Sequence, residues 1–270
     1  MINIVTALQC EAKPLINHYK LKGISTPAGF RLYENKPMRL IVAGLGKVAC
    51  AAACGYLYAR AGEQQDEAWL NLGIAGHATA AIGSAVVAKK ITEQSSGLSW
   101  YPPWVFDLDC QRENLLTLDQ ACEQYDEQHC LDMEASAFYA TASRFSTAEL
   151  IQSLKIISDN REQPANAINE KQVLALLEQQ LPTIDRLIQQ LDALSTELKQ
   201  QQARPAAYDE FIEQWHFTRY QQNQLQSLLS RWQALSPAQA ISITNFLSNK
   251  RSKDVLLELE LQVNNLAITY

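Results

Sequence analysis

The sequence predicts an α/β fold in which helices cover both faces of a mostly parallel sheet, with a helical region added at the C-terminus. Two observations favour this fold. Short apolar runs rich in β-branched residues alternate with helical patterns up to about residue 160, as is typical of parallel sheets. From about residue 161 the chain becomes rich in Gln, Leu and Ala. We therefore predict an α/β domain over residues 1–200 and a helical extension over residues 201–270.

The first elements are a strand, a second strand, a glycine turn and a helix. Residues 2–8 are apolar and too few for a buried helix, so they predict an interior strand with Glu11 in the turn behind it. Residues 38–43 predict a second such strand, and the alanine-rich residues 48–61 predict a helix. Between them, Gly44-Leu45-Gly46-Lys47 lacks the spacing of a phosphate-binding loop and predicts a tight turn.

Later elements continue the alternation. Residues 68–73 and 83–88 predict two strands, with a turn of small residues at 74–77 between them. Residues 154–157 predict a late strand that ends in Ser158-Asp159-Asn160, and one long helical pattern covers about residues 169–200.

Composition narrows the classes of function. With 47% hydrophobic residues, a formal net charge of -6 and a pI near 5.3, the chain has no broad attraction for phosphate backbones, so we expect a small-molecule partner and no nucleic acid. No run approaches the roughly 20 apolar residues of a membrane span, and the N-terminus lacks the pattern of a signal peptide, so we expect no membrane partner and a cytoplasmic location.

The cysteines and histidines predict neither disulfides nor a metal site. The six cysteines contain no CxxC pair and are interpreted as reduced, mostly buried thiols. The four histidines show no metal-ligand spacing. Residues 201–270 contain six basic and six acidic residues, and this balance favours a helical packing or oligomerisation module.

Three acidic residues suit chemistry on a sugar. Glu134, beside Met133 at the start of an apolar helix, can accept hydrogen bonds from two neighbouring hydroxyls. Glu11 and Asp159 each follow an apolar strand, where α/β folds place their chemistry. Cleavage of an N-glycosidic bond needs a base for the attacking water, a group that holds the sugar hydroxyls and an acid for the leaving base. Glu11, Glu134 and Asp159 could fill these three roles in that order.

Each acid also has a structural interpretation. Glu11 and Glu134 could be ordinary acids of a helical first turn, favoured there by the helix dipole. Asp159 could be a turn-forming residue after a strand.

Five short motifs succeed one another over about residues 1–200. They are Ala7-Leu8-Gln9-Cys10-Glu11, Ala43-Gly44-Leu45-Gly46-Lys47-Val48, Asn71-Leu72-Gly73-Ile74-Ala75-Gly76, Asp132-Met133-Glu134-Ala135 and Ile157-Ser158-Asp159. In this order they resemble the nucleoside phosphorylase and nucleosidase superfamily, and within it most of all the methylthioadenosine/S-adenosylhomocysteine nucleosidases. The resemblance implies a three-layer α/β/α fold, no metal or organic cofactor, and a homo-oligomer such as a dimer.

The resemblance also implies a site. It implies a nucleoside substrate and the roles given above for Glu11, Met133, Glu134 and Asp159. We further expect Gly76, His77 and Ser158 to contact the substrate, His77 because it lies in the glycine turn.

The residues after the first strand favour hydrolysis over phosphorolysis. Phosphorolytic relatives carry a glycine-arginine loop there and an arginine ahead of the central glycine turn, whereas this chain has Gln9-Cys10-Glu11-Ala12-Lys13 and Asn71. The prediction is a nucleosidase acting on a purine-type nucleoside or thionucleoside. A phosphate-dependent nucleoside phosphorylase and a non-catalytic binding or assembly protein are the alternatives.

The chain departs from the nucleosidase pattern at three places. Ile74 and His77 replace a usual serine and glycine, and no counterpart of the base-stacking phenylalanine stands near residues 119–122. The aromatic loop Trp100–Phe106 is a candidate either for stacking on a base or for an interface.

Overall fold

The computed structural model describes residues 1–62, 67–122, 124–125, 127–202, 205, 207–237 and 240–268. Within these residues the chain forms one sheet of ten strands together with eight α-helices. The strands are β1 (Ile2–Thr6), β2 (Lys22–Ile24), β3 (Arg31–Asn35), β4 (Met38–Val42), β5 (Ala68–Gly76), β6 (Ala85–Glu93), β7 (Ser99–Trp100), β8 (Gln111–Thr117), β9 (Cys130–Asp132) and β10 (Ile151–Asp159). The helices are α1 (Gln9–His18), α2 (Lys47–Arg60), α3 (Ala135–Ala142), α4 (Glu170–Gln179), α5 (Leu181–Gln202), α6 (Tyr208–Gln214), α7 (Arg219–Leu235) and α8 (Ser252–Ile268).

Strand β1 lies in the middle of a parallel group. It pairs in parallel with β4 and β5, and β5 pairs in parallel with β10. Because β1, β5 and β10 run in the same direction, their carboxyl ends meet at one edge of the sheet. The residues that come after these ends therefore share one location.

Five strands close into a ring that includes β5 and β10 of this group. Strand β10 pairs with both β5 and β6, β6 with β8, β8 with β9, and β9 returns to β5 through Gly76 and Leu131. The return brings the end of β9, and with it Met133 and Glu134, next to the end of β5.

Helices cover both faces of the sheet. On one face, α1, α4 and α5 contribute side chains such as Leu15, Leu177 and Ile184 to an apolar core that also contains Ile4 of β1. On the other face, α2 and α3 pack through side chains such as Leu57 and Phe138. The predicted three-layer α/β/α architecture is confirmed.

The sheet is mixed rather than mostly parallel as the sequence analysis predicted. Only two residues join β3 to β4, and so short a connection permits only an antiparallel pair. Strand β5 continues through residues 74–76, which were predicted as a turn, because each of them pairs with a residue of β10. Glu11 was predicted in a turn and lies in the first turn of α1.

The chain folds into two compact units, Met1–Lys199 and Gln200–Tyr270. The second unit has its own apolar core around Phe211, Leu225 and Phe246. All six cysteines are free thiols, and four of them are buried. Among the described helices, none is both long and apolar enough to cross a membrane.

Candidate active site

A cavity of about 160 Å³ lies at the carboxyl ends of β1, β5 and β10. It is lined by the three predicted site carboxylates, Glu11, Glu134 and Asp159, together with Asp132, Met133 and Ser158. Most of the remaining lining is apolar or small, from Ala7, Leu8, Leu45, Ile74, Ala75, Gly76, Leu118, Ala121, Cys122, Leu131 and Ala165. Residues far apart in the sequence thus surround one space.

Glu11 is held by the backbone at two strand ends. One carboxylate oxygen, Oε2, accepts the N–H groups of Ala7 at 2.9 Å and Leu8 at 2.8 Å, and Oε1 accepts that of Ile74 at 3.0 Å. Burial raises the pKa of Glu11, although the backbone N–H groups and Lys155 act in the opposite direction. A carboxylate with a raised pKa is a stronger base, and this one faces the cavity. The hydrogen bond from the Leu8 N–H also stabilises the start of α1. Glu11 therefore also has the structural role of an acid in a helical first turn.

A glycine makes room for Glu11. A Cβ atom at Gly73 would lie 2.9 Å from Glu11 Oε1. The approach of this carboxylate to β5 therefore requires a residue without a side chain at position 73.

Glu134 stands at the N-terminal end of α3. Its Oε1 accepts the backbone N–H of Gly46 at 2.9 Å. Gly46 has a φ of +91°, a conformation that L side chains rarely adopt, so the predicted glycine turn serves to aim this N–H at Glu134. Burial raises the pKa of Glu134 to about 6, while the nearby Lys155 acts to lower it.

A buried ion pair that the sequence analysis missed supports Glu134. Lys155 Nζ lies 2.9 Å from Asp132 Oδ2 and 4.0 Å from Glu134 Oε2. Burial by itself lowers the pKa of Lys155, but the carboxylates of Asp132 and Glu134 outweigh it and raise the pKa above its ordinary value. Lys155 is the one charged residue between the apolar residues of β10 before Asp159, and such a position indicates a buried partner.

Asp132 also fixes the start of α3. Its Oδ2 accepts the backbone N–H of Ala135 at 2.7 Å and that of Glu134 at 3.2 Å. Its Oδ1 accepts the hydroxyl of Thr117 at 2.7 Å. Asp132 therefore positions Glu134 through both the backbone and Lys155.

Asp159 ends β10 and accepts two hydroxyl groups. Ser158 Oγ donates to Oδ1, and the hydroxyl of Tyr125 donates to Oδ2 at 2.7 Å. A Cβ atom at Gly76 would lie 2.5 Å from Asp159 Oδ2, so only glycine fits there. Sequence reasoning missed Tyr125, which lies in a segment without apolar periodicity.

Two predicted contacts lie outside the cavity lining. His77 Nδ1 accepts the backbone N–H groups of Thr79 at 3.1 Å and Ala80 at 2.9 Å, so the ring is engaged in the turn after β5. In the aromatic loop, Trp104 packs edge-on against Phe106, with ring centroids 5.6 Å apart, and the Arg112 guanidinium lies over the Trp104 ring. The loop residues from Trp100 to Phe106 are absent from the described cavity lining.

Within the residues that the structure describes, no group of three or more His, Cys, Asp or Glu side chains is arranged to hold a metal ion. The six described groups with predicted site roles that do line the cavity are Glu11, Gly76, Met133, Glu134, Ser158 and Asp159. Three carboxylates and the apolar side chain of Met133 are thus brought together around one space.

Comparison with solved structures shows the fold. No family model matches the chain, and no curated protein matches it. The chain is similar to the 5′-methylthioadenosine nucleosidase of Arabidopsis thaliana, with a TM-score of 0.59 and 15% identity, over 70% of this chain and 95% of that one. It is similar to a variant 5′-methylthioadenosine/S-adenosylhomocysteine nucleosidase of Helicobacter pylori with 5′-methylthioadenosine in its active site, with a TM-score of 0.58 and 14% identity, over 70% and 98% of the two chains.

A third similar structure is the futalosine hydrolase of Helicobacter pylori, with a TM-score of 0.55 and 15% identity, over 70% of this chain and 97% of that one. All three comparisons span nearly the full length of the solved chains. The chain has the nucleoside phosphorylase/nucleosidase fold, as its sequence motifs predicted.

Proposed function

We propose that this chain is a nucleosidase that hydrolyses the N-glycosidic bond of a purine-type nucleoside or thionucleoside. The observation that carries the proposal is the meeting of Glu11, Glu134 and Asp159 around one cavity. The fold supports it, since the similar solved structures include nucleosidases and a hydrolase of futalosine.

The proposed reaction uses one carboxylate for each requirement. Glu11 accepts a proton from a water molecule whose oxygen forms the new bond to the sugar anomeric carbon. Glu134 accepts hydrogen bonds from two ribose hydroxyls, beside the apolar side chain of Met133. As the bond from the anomeric carbon to the base breaks, its electron pair moves into the base, and protonated Asp159 donates its proton at a ring nitrogen.

The charge of the cavity favours water over phosphate as the nucleophile. Four acidic residues line the space, namely Glu11, Asp132, Glu134 and Asp159, and the buried cation Lys155 is paired with Asp132 at 2.9 Å. A phosphate dianion would meet net negative charge, whereas binding it needs arginines or free backbone amides. This arrangement supports hydrolysis.

The apolar lining supports a thionucleoside or a similarly apolar substituent. Leu8, Leu45 and Leu118 line the cavity along with the small side chains of Ala7 and Ala121. Such a surface gains free energy by covering an alkylthio group, at roughly 25 cal/mol per Å² of apolar surface buried.

The experiment that tests the proposal measures release of free base from methylthioadenosine, S-adenosylhomocysteine, adenosine, inosine and futalosine, with and without phosphate. Release without phosphate establishes hydrolysis and identifies the substrate. Release only with phosphate establishes a phosphorylase. If the folded protein releases free base from none of these compounds, the result contradicts the proposed enzymatic activity and favours the non-catalytic alternative.

Assembly and location are part of the same proposal. We infer a cytoplasmic homo-oligomer, with a dimer as the first expectation and the Gln200–Tyr270 unit as a packing or oligomerisation module. Light scattering on the full chain tests the dimer, and a mass equal to that of one 30.3 kDa chain would contradict it.

A further inference from the structure

Lys47 connects two segments of the chain that contribute side chains to the cavity lining. The first is the glycine turn 44–47, and the second is residues 118–122, the cavity loop. Lys47 Nζ lies 2.6 Å from Asp119 Oδ1. Since Lys47 ends the turn and Asp119 lies within the loop, this ion pair joins two parts of the cavity wall directly.

Two other partners fix the position of the Lys47 ammonium. It donates to Glu93 Oε1, at the end of β6, at 2.6 Å and to Ser95 Oγ at 3.1 Å. Together with Asp119, these acceptors match the three N–H donors of an ammonium group. Asp119 and Glu93 raise the pKa of Lys47, so its charge is kept at neutral pH. The ammonium is therefore a fixed point to which the cavity loop attaches.

The cavity loop forms a thin wall. Residues 119–122 are exposed to solvent, yet two of them also line the cavity. The backbone N–H of Leu118 donates to the carbonyl oxygen of Asp132 at 2.8 Å, which fixes where the loop begins. The Asp119 carboxylate then attaches the next residue to Lys47. A segment with water on one side and the cavity on the other depends on such attachments for its position.

We propose that Lys47 is a positioning residue, whose ion pair with Asp119 holds the cavity loop against the glycine turn so that the two segments cover a bound nucleoside. The nucleoside in this inference rests on the proposed function. Lys47 and Asp119 are both outside the described cavity lining, so the pair acts through the loop and not on the reacting atoms. The loss of such an interaction raises KM and leaves kcat unchanged.

The kinetic test compares Asp119→Asn with the wild type. This variant leaves Lys47 bonded to Glu93 and Ser95, so the glycine turn keeps its other support. We expect KM to rise by about threefold to fivefold, the effect of losing a partly exposed ion pair, with kcat changed by less than about twofold. Asp109→Asn is the matched control, because Asp109 is exposed and outside the described cavity lining.

Salt provides a second kinetic measurement. The Asp119 side chain is 60% exposed, so dissolved ions screen its attraction to Lys47. The KM of the wild type should therefore rise with salt toward that of Asp119→Asn, whereas the variant should change less. An equal salt dependence of the two proteins would overturn the role of the pair.

Cys122 reports on the loop without any substrate. It lies in the cavity loop and is the exposed one of the six cysteines, all of which the structure describes. The rate at which neutral N-ethylmaleimide labels it is measured in Asp119→Asn and Lys47→Met, with Cys122→Ser as the blank. Lys89→Met is the control for the lysine variant, because Lys89 is exposed and outside the described cavity lining.

The two variants separate release of the loop from a change of local charge. Removal of a negative charge lowers the pKa of a nearby thiol, and removal of a positive charge raises it, so charge alone changes the two labelling rates in opposite directions. Release of the loop accelerates both, and we expect each rate to rise by at least about twofold. Unchanged or opposite rates would overturn the inference.

The outcomes also distinguish this inference from the proposed reaction. Faster labelling of both variants, without hydrolysis by any protein, supports the attachment of the loop and contradicts the nucleosidase. Hydrolysis by the wild type with an unchanged KM in Asp119→Asn overturns the inference and leaves the nucleosidase in place. If Lys47→Met fails to fold, the labelling rate of the wild type decides, since it should rise with salt toward that of Asp119→Asn.

Discussion

The ammonium of Lys155 and the carboxylate of Glu134 lie 4.0 Å apart in the protein interior, and Asp132 lies 2.9 Å from the same ammonium. Only 1% of the Lys155 side chain is exposed, so its charge is compensated by these two acids rather than by water. The two carboxylates in turn depend on one cation. The charge of Lys155 also acts to lower the pKa of Glu11. This one cation therefore influences Glu11, Asp132 and Glu134 together.

Replacing Lys155 by Met should destabilise the fold strongly. The change removes the cation and leaves Asp132 and Glu134 as uncompensated buried charges, a situation that costs about 3–5 kcal/mol. Urea denaturation at neutral pH measures the free energy of unfolding. The loss should become smaller in acid, where the two carboxyl groups take up protons.

Arg60→Met provides the matched control for that variant. Arg60 pairs with Glu34 at 3.1 Å, but both side chains are partly exposed, at 35% and 28%. A pair in contact with water contributes about 0–1 kcal/mol. Equal losses in the two variants would contradict the view that Lys155 is needed because of its burial.

Glu134 should make stability depend on pH. Burial raises the pKa of Glu134 from 4.5 to about 6, so the folded state binds this proton more tightly than the unfolded chain does. Its stabilising contribution is therefore fully present below pH 4.5 and is lost as the pH rises through about 6. Glu134→Gln removes the titration, so the stability of the wild type relative to the variant should fall over this window by on the order of 2 kcal/mol.

Urea denaturation from pH 4 to pH 8 measures this difference, with the exposed Glu178→Gln as the reference variant. A difference between wild type and Glu134→Gln that is constant with pH, or that grows as the pH rises, would contradict the raised pKa.

Glu11→Gln tests the proposed base. The amide cannot accept a proton from water at neutral pH, so kcat should fall by about 10²–10⁴. Stability should fall as well, by about 1–3 kcal/mol, because an amide nitrogen cannot accept the backbone N–H groups that Glu11 now accepts. Base release measures the first effect, and circular dichroism shows whether the variant is folded.

Glu170→Gln separates catalysis from the role of an acid in a helical first turn. Glu170 lies in the first turn of α4 and is exposed, away from the cavity lining. Hydrolysis should be unchanged in this variant. If Glu11→Gln also keeps the wild-type rate, the general-base role is wrong and Glu11 is a structural acid.

The architecture and part of the site could be predicted from the sequence because both depend on local patterns. Apolar runs identify β1, β4 and β10, and parallel strands bring the residues at their carboxyl ends together, which places Glu11 and Asp159 at one cavity. The predicted fold is confirmed by the solved structures. The catalytic roles stay predictions.

The rest depends on tertiary interactions that no spacing reveals. Lys155 and Asp132 are 23 positions apart and meet only because β9 returns to β5 and β10 lies beside it. Tyr125 reaches Asp159 from a segment without periodicity. The turn after β5 uses the His77 ring as a hydrogen-bond acceptor, and the residue type alone does not distinguish this from a substrate contact.

Gly76→Ala should abolish the proposed acid function by steric conflict. The new Cβ would lie 2.5 Å from Asp159 Oδ2 and 2.9 Å from the Tyr125 ring, closer than a real Cβ atom approaches its neighbours, so the carboxylate or the strand has to shift. We expect kcat to fall at least about 10²-fold, since catalysis by a positioned acid is lost, and stability to fall by about 1–3 kcal/mol.

The control for that variant is Gly55→Ala, in the middle of α2. A Cβ there meets no atom within 4 Å, and alanine favours helix over glycine by roughly 1 kcal/mol, so this variant should be slightly more stable and equally active. Thermal unfolding and base release measure both quantities. Wild-type activity in Gly76→Ala would contradict the view that the close approach of Asp159 to β5 at position 76 is needed for catalysis.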